Sequence, residues 1–307
     1  MNKIYSFYYA LPSFKRLGKI GKGIDRLQGK LFKRILDRYV PTKYDREFDI
    51  QDMGINKDTN RQDKIIVSLT SFPGRINEVW ICVESLMRQT FKPDAIELWL
   101  SLKQFPDRAI PQKLQRYEQR GLQIRWVEDD IRSYKKYYYS MQAHPDACIV
   151  TVDDDVYYPS DMLQNLITLH EQYPQCVCAN RVHLIQYGKN GEIKPYRKWK
   201  HNYACKKPTP LPKLFVTGIG GVLYPPHSLD CMVMDIAMAR EFCPMADDVW
   251  LNFSAYKKGT LIVGSGKYNK DFINVGQTQK EKLVAQNVMS GGNDKQIGAV
   301  IKYLNIK

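Results

Sequence analysis

Between Lys64 and Val152 the chain changes hydrophobic period at regular intervals, and this alternation restricts the possible fold more than any other feature of its 307 residues. Lys64–Thr70, Ala95–Leu100, Leu122–Val127 and Ala147–Val152 are short apolar runs that read as buried strands. Between them, Ile76–Gln89 places Val79, Cys82 and Leu86 at helical spacing, and Ile110–Arg120 and Ser133–Gln142 read the same way. Gly121 and Pro145 punctuate the changes. Strand and helix in alternation predict an α/β fold with a mostly parallel sheet and helices on its faces. In such sheets ligands collect beyond the carboxyl ends of the strands, so chemistry is expected in the loops after Thr70, Leu100, Val127 and Val152. Further on, the pattern predicts a helix over Ser160–His170 and a strand over Val177–Ile185. A hairpin tip is expected at Asn190-Gly191, a strand over Val222–Tyr224, and helices over Asp248–Tyr256 and Lys295–Leu304.

The 44% hydrophobic and 25% charged content suits a folded, water-soluble body rather than a disordered chain or a multi-span membrane protein. The net charge of +14 is concentrated in two places. Residues 1–45 hold eleven Lys/Arg and three Asp, and residues 181–213 hold nine Lys/Arg and one Glu. A basic arm and a basic insert suit a polyanionic surface such as anionic lipid, a diphosphate-linked acceptor or nucleic acid. The seven cysteines (Cys82, Cys148, Cys176, Cys178, Cys205, Cys231, Cys243) are odd in number and include no Cys-x-x-Cys pair, which fits a reducing cytoplasm better than a disulfide framework or zinc site. No apolar run reaches 18 residues, so neither a cleaved signal nor a spanning helix is expected.

From Leu17 to Val40, Leu17, Ile20, Ile24, Leu27, Leu31, Ile35 and Tyr39 recur every three or four positions, with Lys19, Lys22, Arg26, Lys30, Lys33, Arg34 and Arg38 largely elsewhere on the wheel. This predicts a basic amphipathic helix that ends at Pro41 and is followed by a polar linker to Asp63. Its apolar face has two readings, packing on the chain's own body or lying on a membrane surface.

Asp153-Asp154-Asp155 follows the apolar strand Cys148-Ile-Val-Thr-Val152 directly. Side chains alternate along an extended chain, so Asp153 and Asp155 are expected to project together while Asp154 points elsewhere. Paired carboxylates repel, and a hard cation such as Mg2+ or Mn2+ relieves the repulsion while taking phosphate oxygens as further ligands. A phosphatase of the haloacid dehalogenase type would need Thr or Val where this chain has Tyr157.

Several elements in order resemble the inverting, metal-dependent glycosyltransferases of the GT-A fold, close to family two. The strand Lys64–Thr70 with Ser71 is similar to the first nucleotide-binding strand. Ser85-Leu86-Met87-Arg88-Gln89-Thr90 with Pro93-Asp94 resembles the Ser-Leu-x-x-Gln-Thr-x-x-Pro helix end, Asp153–Asp155 the Asp-x-Asp, and Ala246-Asp247-Asp248-Val249-Trp250-Leu251 the Glu-Asp motif with Asp in place of Glu. The resemblance implies a Rossmann-like GT-A domain over 63–265, with a donor half at 63–160 and an acceptor half at 161–265. A basic arm and linker (1–62) would precede it and a tail (266–307) follow. It implies a nucleotide-sugar donor, a UDP-sugar by family default, a glycan or lipid-linked acceptor of surface polysaccharide synthesis, and a divalent metal, Mn2+ or Mg2+, at Asp155 and Asp153. Thr70, Ser71, Arg75, Asp129, Lys135, Lys136, Asp153 and Asp154 would bind the donor. Gly220 and Gly221, in Gly218-Ile219-Gly220-Gly221, would allow close approach of the acceptor. Asp248 would be the base that takes the acceptor proton, and Asp247 beside it would raise the pair's proton affinity or cap the helix.

The chain departs from the family after the second strand, where Leu98-Trp99-Leu100-Ser101 stands in place of acidic residues. Base recognition then falls to Glu128, Asp129 or Asp130. A non-catalytic nucleic-acid-binding protein is the alternative, suggested by the basic segment Tyr196–Lys207. It leaves both acidic clusters unexplained, so no nucleic-acid partner is expected. A nucleotidyltransferase would carry more glycine after the first strand than Ser71-Phe72-Pro73-Gly74-Arg75 does. The five histidines show no metal spacing. The Tyr137–Tyr139 and Tyr157-Tyr158 clusters suit packing or stacking alike. The enzyme is expected in the cytoplasm or on the inner face of the cell membrane.

Overall fold

The computed structural model of the chain describes residues 1–58, 61–204, 207–268, 270–276 and 291–306. Cys205 and the basic Lys206 lie outside the described residues. Two helices open the chain, α1 (Asn2–Ala10) and α2 (Gly18–Arg46). Then come β1 (Ile65–Thr70), α3 (Val79–Met87), β2 (Ala95–Ser101), α4 (Gln112–Gln115), β3 (Leu122–Val127), α5 (Lys135–Ala143), β4 (Cys148–Thr151) and α6 (Met162–Gln172). The second half carries β5 (Val177–Ala179), β6 (Val182–Leu184), β7 (Leu214–Val216), β8 (Val222–Tyr224), α7 (Ile236–Phe242), α8 (Asp247–Lys258), β9 (Ile262–Gly264) and α9 (Gly292–Tyr303).

Seven strands form one sheet in the order β3-β2-β1-β4-β8-β5-β9. All neighbours are parallel except β8, which runs antiparallel between β4 and β5. This is the mostly parallel α/β arrangement expected from the sequence. The alternation of β1 shows why both faces are covered. Ile65, Val67 and Leu69 join the core formed with α3 and α6, whereas Ser68 faces α5, where its hydroxyl accepts from Ser140 Oγ at 2.8 Å. Strands buried on both faces need apolar side chains at nearly every position, which is why these segments read as continuous runs. The chain reverses order after β1, and the carboxyl ends of β1 and β4 stand side by side through the pairing of Ser68 with Thr151.

Three segments differ from expectation. Pro41 does not end its helix: α2 continues to Arg46 because Val40 and Tyr44 are buried against the body. That packing, together with the Thr42 hydroxyl donating to Arg38 O at 2.9 Å, offsets the missing backbone donor of proline. The helix expected over 110–120 is a single turn, α4, followed by a 3-10 turn that Gly121 closes in the left-handed conformation (φ 101°). The strand expected over 177–185 breaks at Asn180-Arg181 into β5 and β6, and β6 leaves the main sheet to pair with β7. The aromatic run at the extreme N-terminus forms α1. Tyr5 of α1 and Leu36, Val40 and Tyr44 of α2 belong to the same apolar core as β1 and β4. Tyr187 pairs with Ile193 across the expected hairpin tip, where Gly191 has φ 86°.

Candidate active site

Val152 is the last residue of the β4 run to bond β1, donating to Ser68 O at 3.0 Å, and the three aspartates then leave the sheet in a turn. Period-two alternation therefore stops at Asp153, and the expectation that Asp153 and Asp155 project together is corrected. Asp154 and Asp155 are both buried and share one guanidinium: Arg75 Nη1 lies 2.6 Å from Asp154 Oδ1 and Nη2 3.2 Å from Asp155 Oδ2. Arg75 comes from the turns after β1, as does Ser71, whose hydroxyl donates to Asp154 Oδ2 at 2.6 Å. Asp153 stands apart, with its side chain 32% exposed and its backbone N–H donated to Tyr158 Oη at 2.9 Å.

Lys136, in the first turn of α5, joins this strip to a second acidic pair. Its ammonium lies 2.9 Å from Asp153 Oδ1 and 3.1 Å from Asp247 Oδ2. Burial works against its charge, but Asp153, Asp247 and Asp248 hold it protonated. Asp247 and Asp248 occupy the first turn of α8, where the helix dipole favours negative charge. Neither caps the helix: the N-cap position is Ala246, with no side-chain capping bond. Asp248 instead accepts from Gly218 N–H at 3.1 Å on both oxygens. Burial, with Asp247 as the next cause, pushes its carboxyl up to about 7 against the pull of Lys136. The carboxyl of Asp155 is likewise raised by burial and then by Asp154, against Arg75.

The backbone of Gly218 closes the cluster. A Cβ there would stand 3.2 Å from Asp248 Oδ1, 3.2 Å from Lys136 Nζ and 3.4 Å from Asp153 Oδ1, so any side chain would crowd all three. Arg75, Lys136, Asp153, Asp154, Asp155, Asp247, Asp248 and Ser71, all chosen from sequence, thus converge at the carboxyl ends of β1 and β4.

Other chosen residues do not join them. Lys135 turns to Asp130, and Asp129 forms an exposed pair with Lys103. Thr70 Oγ1 donates to Trp99 O at 2.7 Å, within the sheet. Gly220 and Gly221 serve packing: a Cβ on Gly220 would meet Arg181 backbone N at 3.0 Å, and Gly221 sits at φ 79° against Met162. The glycine that faces the acids is Gly218, in the same loop but not singled out. Asn274, whose side chain hydrogen-bonds Asp155, was also missed. It lies far along the chain in an irregular segment that pairs with Val156, and no local pattern announces it. Tyr137, Tyr157 and Tyr158 are fully buried packing residues, and Cys176 and Cys178 lie in the core.

Among the described residues no three His, Cys, Asp or Glu side chains converge on a point that could hold a metal ion. The donor set is all oxygen, which suits Mg2+ or Mn2+, and such ions need only one or two carboxylates when phosphates complete the shell. Asp153 fits that role. Asp155 fits it only if Arg75 releases its Oδ2.

No protein-family model matches the chain, and no curated protein matches it. Solved structures match in outline. A 4-diphosphocytidyl-2C-methyl-D-erythritol synthase aligns with TM-score 0.41 and 14% identity over 75% of this chain and 99% of its own. An apo UDP-glucose pyrophosphorylase aligns with TM-score 0.36 and 11% identity over 79% and 98%. A CMP:2-keto-3-deoxy-manno-octonic acid synthetase with CTP aligns with TM-score 0.38 and 11% identity over 66% and 88%. Likeness at this level does not bear on the reaction.

Proposed function

We propose that the chain is a GT-A-type glycosyltransferase that moves a sugar, with inversion, from a nucleotide-sugar donor to a glycan or lipid-linked acceptor. The observation that carries this reading is Lys136, which ties the donor-side carboxylate Asp153 to the base-side pair Asp247-Asp248 beside the backbone of Gly218. Direct displacement needs that layout, with cations and a metal-binding acid on the leaving-group side and a base facing the acceptor.

Asp248 takes the proton from the acceptor hydroxyl as its oxygen bonds to the anomeric carbon. The bond from that carbon to the diphosphate oxygen breaks, and the nucleoside diphosphate leaves with the electron pair. Asp247 is a positioning residue, held by Lys136, whose charge keeps Asp248 basic. Arg75 holds Asp154 and Asp155 in place behind Asp153. A divalent ion held by Asp153, with Asp155 behind it, would supply positive charge for the departing diphosphate. This order reverses the sequence-based ranking of the two ligands, because Asp153 has the open edge. A UDP-sugar remains the donor expected by family resemblance.

Thermal-shift titration with UDP and GDP, with and without Mn2+, tests the donor side. Metal-dependent stabilisation by one nucleotide, lost in Asp153→Asn, is expected. No response to either nucleotide would contradict the reading. Pyrophosphate release from a nucleoside triphosphate and a sugar phosphate would instead assign nucleotidyl transfer.

A further inference from the structure

The apolar residues that define the amphipathic pattern of α2 do not face the protein. Ile20 is 74% exposed, Leu27 70% and Ile35 59%, and Leu17, Ile24, Leu31 and Tyr39 are exposed as well. The helix meets the body through a different sector: Leu36, Val40 and Tyr44 are buried, and Asp37 accepts from Tyr157 Oη at 3.0 Å and Gly276 N–H at 2.9 Å. At 3.6 residues per turn the exposed apolar set from Ile20 to Tyr39 falls within roughly a third of the circumference and runs about 29 Å along the helix. Phe7 of α1, also exposed, lies 5.9 Å from Phe32 and adjoins the stripe. Lys19, Lys22, Arg26, Lys30, Arg34 and Arg38 are exposed; Arg34 and Arg38 flank the stripe, while the other four lie across the helix from it, on the sector that further along meets the body.

A water-facing apolar stripe of this length marks an interaction surface. The positive charge on the rest of the helix surface selects the occupant. A second copy of the chain would bring two arms of the same strong positive charge together, and duplex or single-stranded nucleic acid would leave the aliphatic side chains in water. An anionic lipid surface satisfies both parts, with apolar side chains entering below the headgroups and Lys/Arg reaching the phosphates.

We propose that α2 lies in the interface of an anionic membrane, apolar stripe down. Through Asp37 it then fixes the orientation of the segment that follows Asp155. The proposal rests on the arm alone and stands or falls apart from the glycosyl-transfer reading.

Co-sedimentation of the full chain with vesicles of phosphatidylglycerol and phosphatidylcholine, against phosphatidylcholine alone, tests it. Binding at least tenfold stronger to the anionic vesicles is expected. The double variant Leu27→Asp, Leu31→Asp should lose at least tenfold in vesicle binding with unchanged Tm, because both side chains already face water. Arg26→Glu, Lys30→Glu, Arg34→Glu should abolish the preference for anionic lipid. Equal binding by wild type and the apolar variant would overturn the proposal. So would absence of binding to anionic vesicles, or a stripe-dependent dimer in light scattering without vesicle binding.

Discussion

A lysine buried among carboxylates keeps its proton because losing it would leave Asp153 and Asp247 facing each other without a counter-charge. The cost falls on Asp248, which is crowded by Asp247 and desolvated, and its carboxyl is pushed up to about 7. Below that pH it carries a proton and cannot accept another, so kcat/KM should rise with pH across neutrality and level off above. Asp248→Asn should lower transfer about 10²- to 10⁴-fold while donor binding persists, as loss of a general base does. The same shift has a signature in stability. The folded state holds this proton more tightly than the unfolded chain, whose carboxyl titrates near about 3.9, so the group's contribution falls as pH rises from there through about 7. Asp248→Asn should therefore match wild type in Tm near pH 4 and exceed it by a few degrees at pH 8; a less stable variant at pH 8 would contradict the assignment. Gly218→Ala places a methyl group among three charged groups at 3.2–3.4 Å, and turnover should fall at least tenfold with little change in Tm. Retained turnover would remove Gly218 from the site. These residues were legible unequally. The aspartates stand out because acids clustered after an apolar strand are uncommon, whereas Gly218 differs from Gly220 and Gly221 only in what it faces.

Elements were read well where their physics is local. Strands β1 to β4 fall within a residue or two of their expected bounds, because burial on both faces forces an apolar run that turn residues interrupt. Reading failed where tertiary contact overrides local preference. Pro41 is carried inside α2 by the burial of its neighbours, and the turn after β4 cancels the alternation of Asp153–Asp155. Pairing across elements was hidden for the same reason. Arg120, fully buried after α4, donates to Glu84 of α3 at 2.5 Å and to Asp52 at 2.9 Å. Glu84→Gln leaves that guanidinium without its buried counter-charge and should cost about 3–5 kcal/mol in chemical denaturation. Asp129→Asn, at an exposed pair with Lys103, should cost no more than about 1 kcal/mol. Equal effects would show that the buried pair is not a structural centre.

For the whole molecule, periodicity told which residues of α2 share a face but not which way the face points. The structure turns that face outward and uses other residues to anchor the arm. Tyr5, Leu36, Val40 and Tyr44 sit in the main core, each worth about 1.5–3 kcal/mol when buried, and Lys270 caps α1 through the carbonyls of Tyr8 and Tyr9. Deleting residues 1–46 removes about as much stability as a domain of this kind possesses. The truncated chain should thus be insoluble or unfolded by circular dichroism, and a folded, cooperatively melting fragment would show the arm to be dispensable. Among the described residues no helix is long and apolar enough to cross a membrane. The central claim remains that one charge cluster joins donor acids, Lys136 and a base for glycosyl transfer. Phosphorus NMR of the chain incubated with a panel of nucleotide sugars and Mn2+ or Mg2+, with water taking the acceptor hydroxyl's place and receiving the sugar, tests it most directly. The predicted result is release of nucleoside diphosphate from one donor, abolished in Asp248→Asn although that variant still binds the nucleotide; no release from any donor, or equal release by Asp248→Asn, would contradict it.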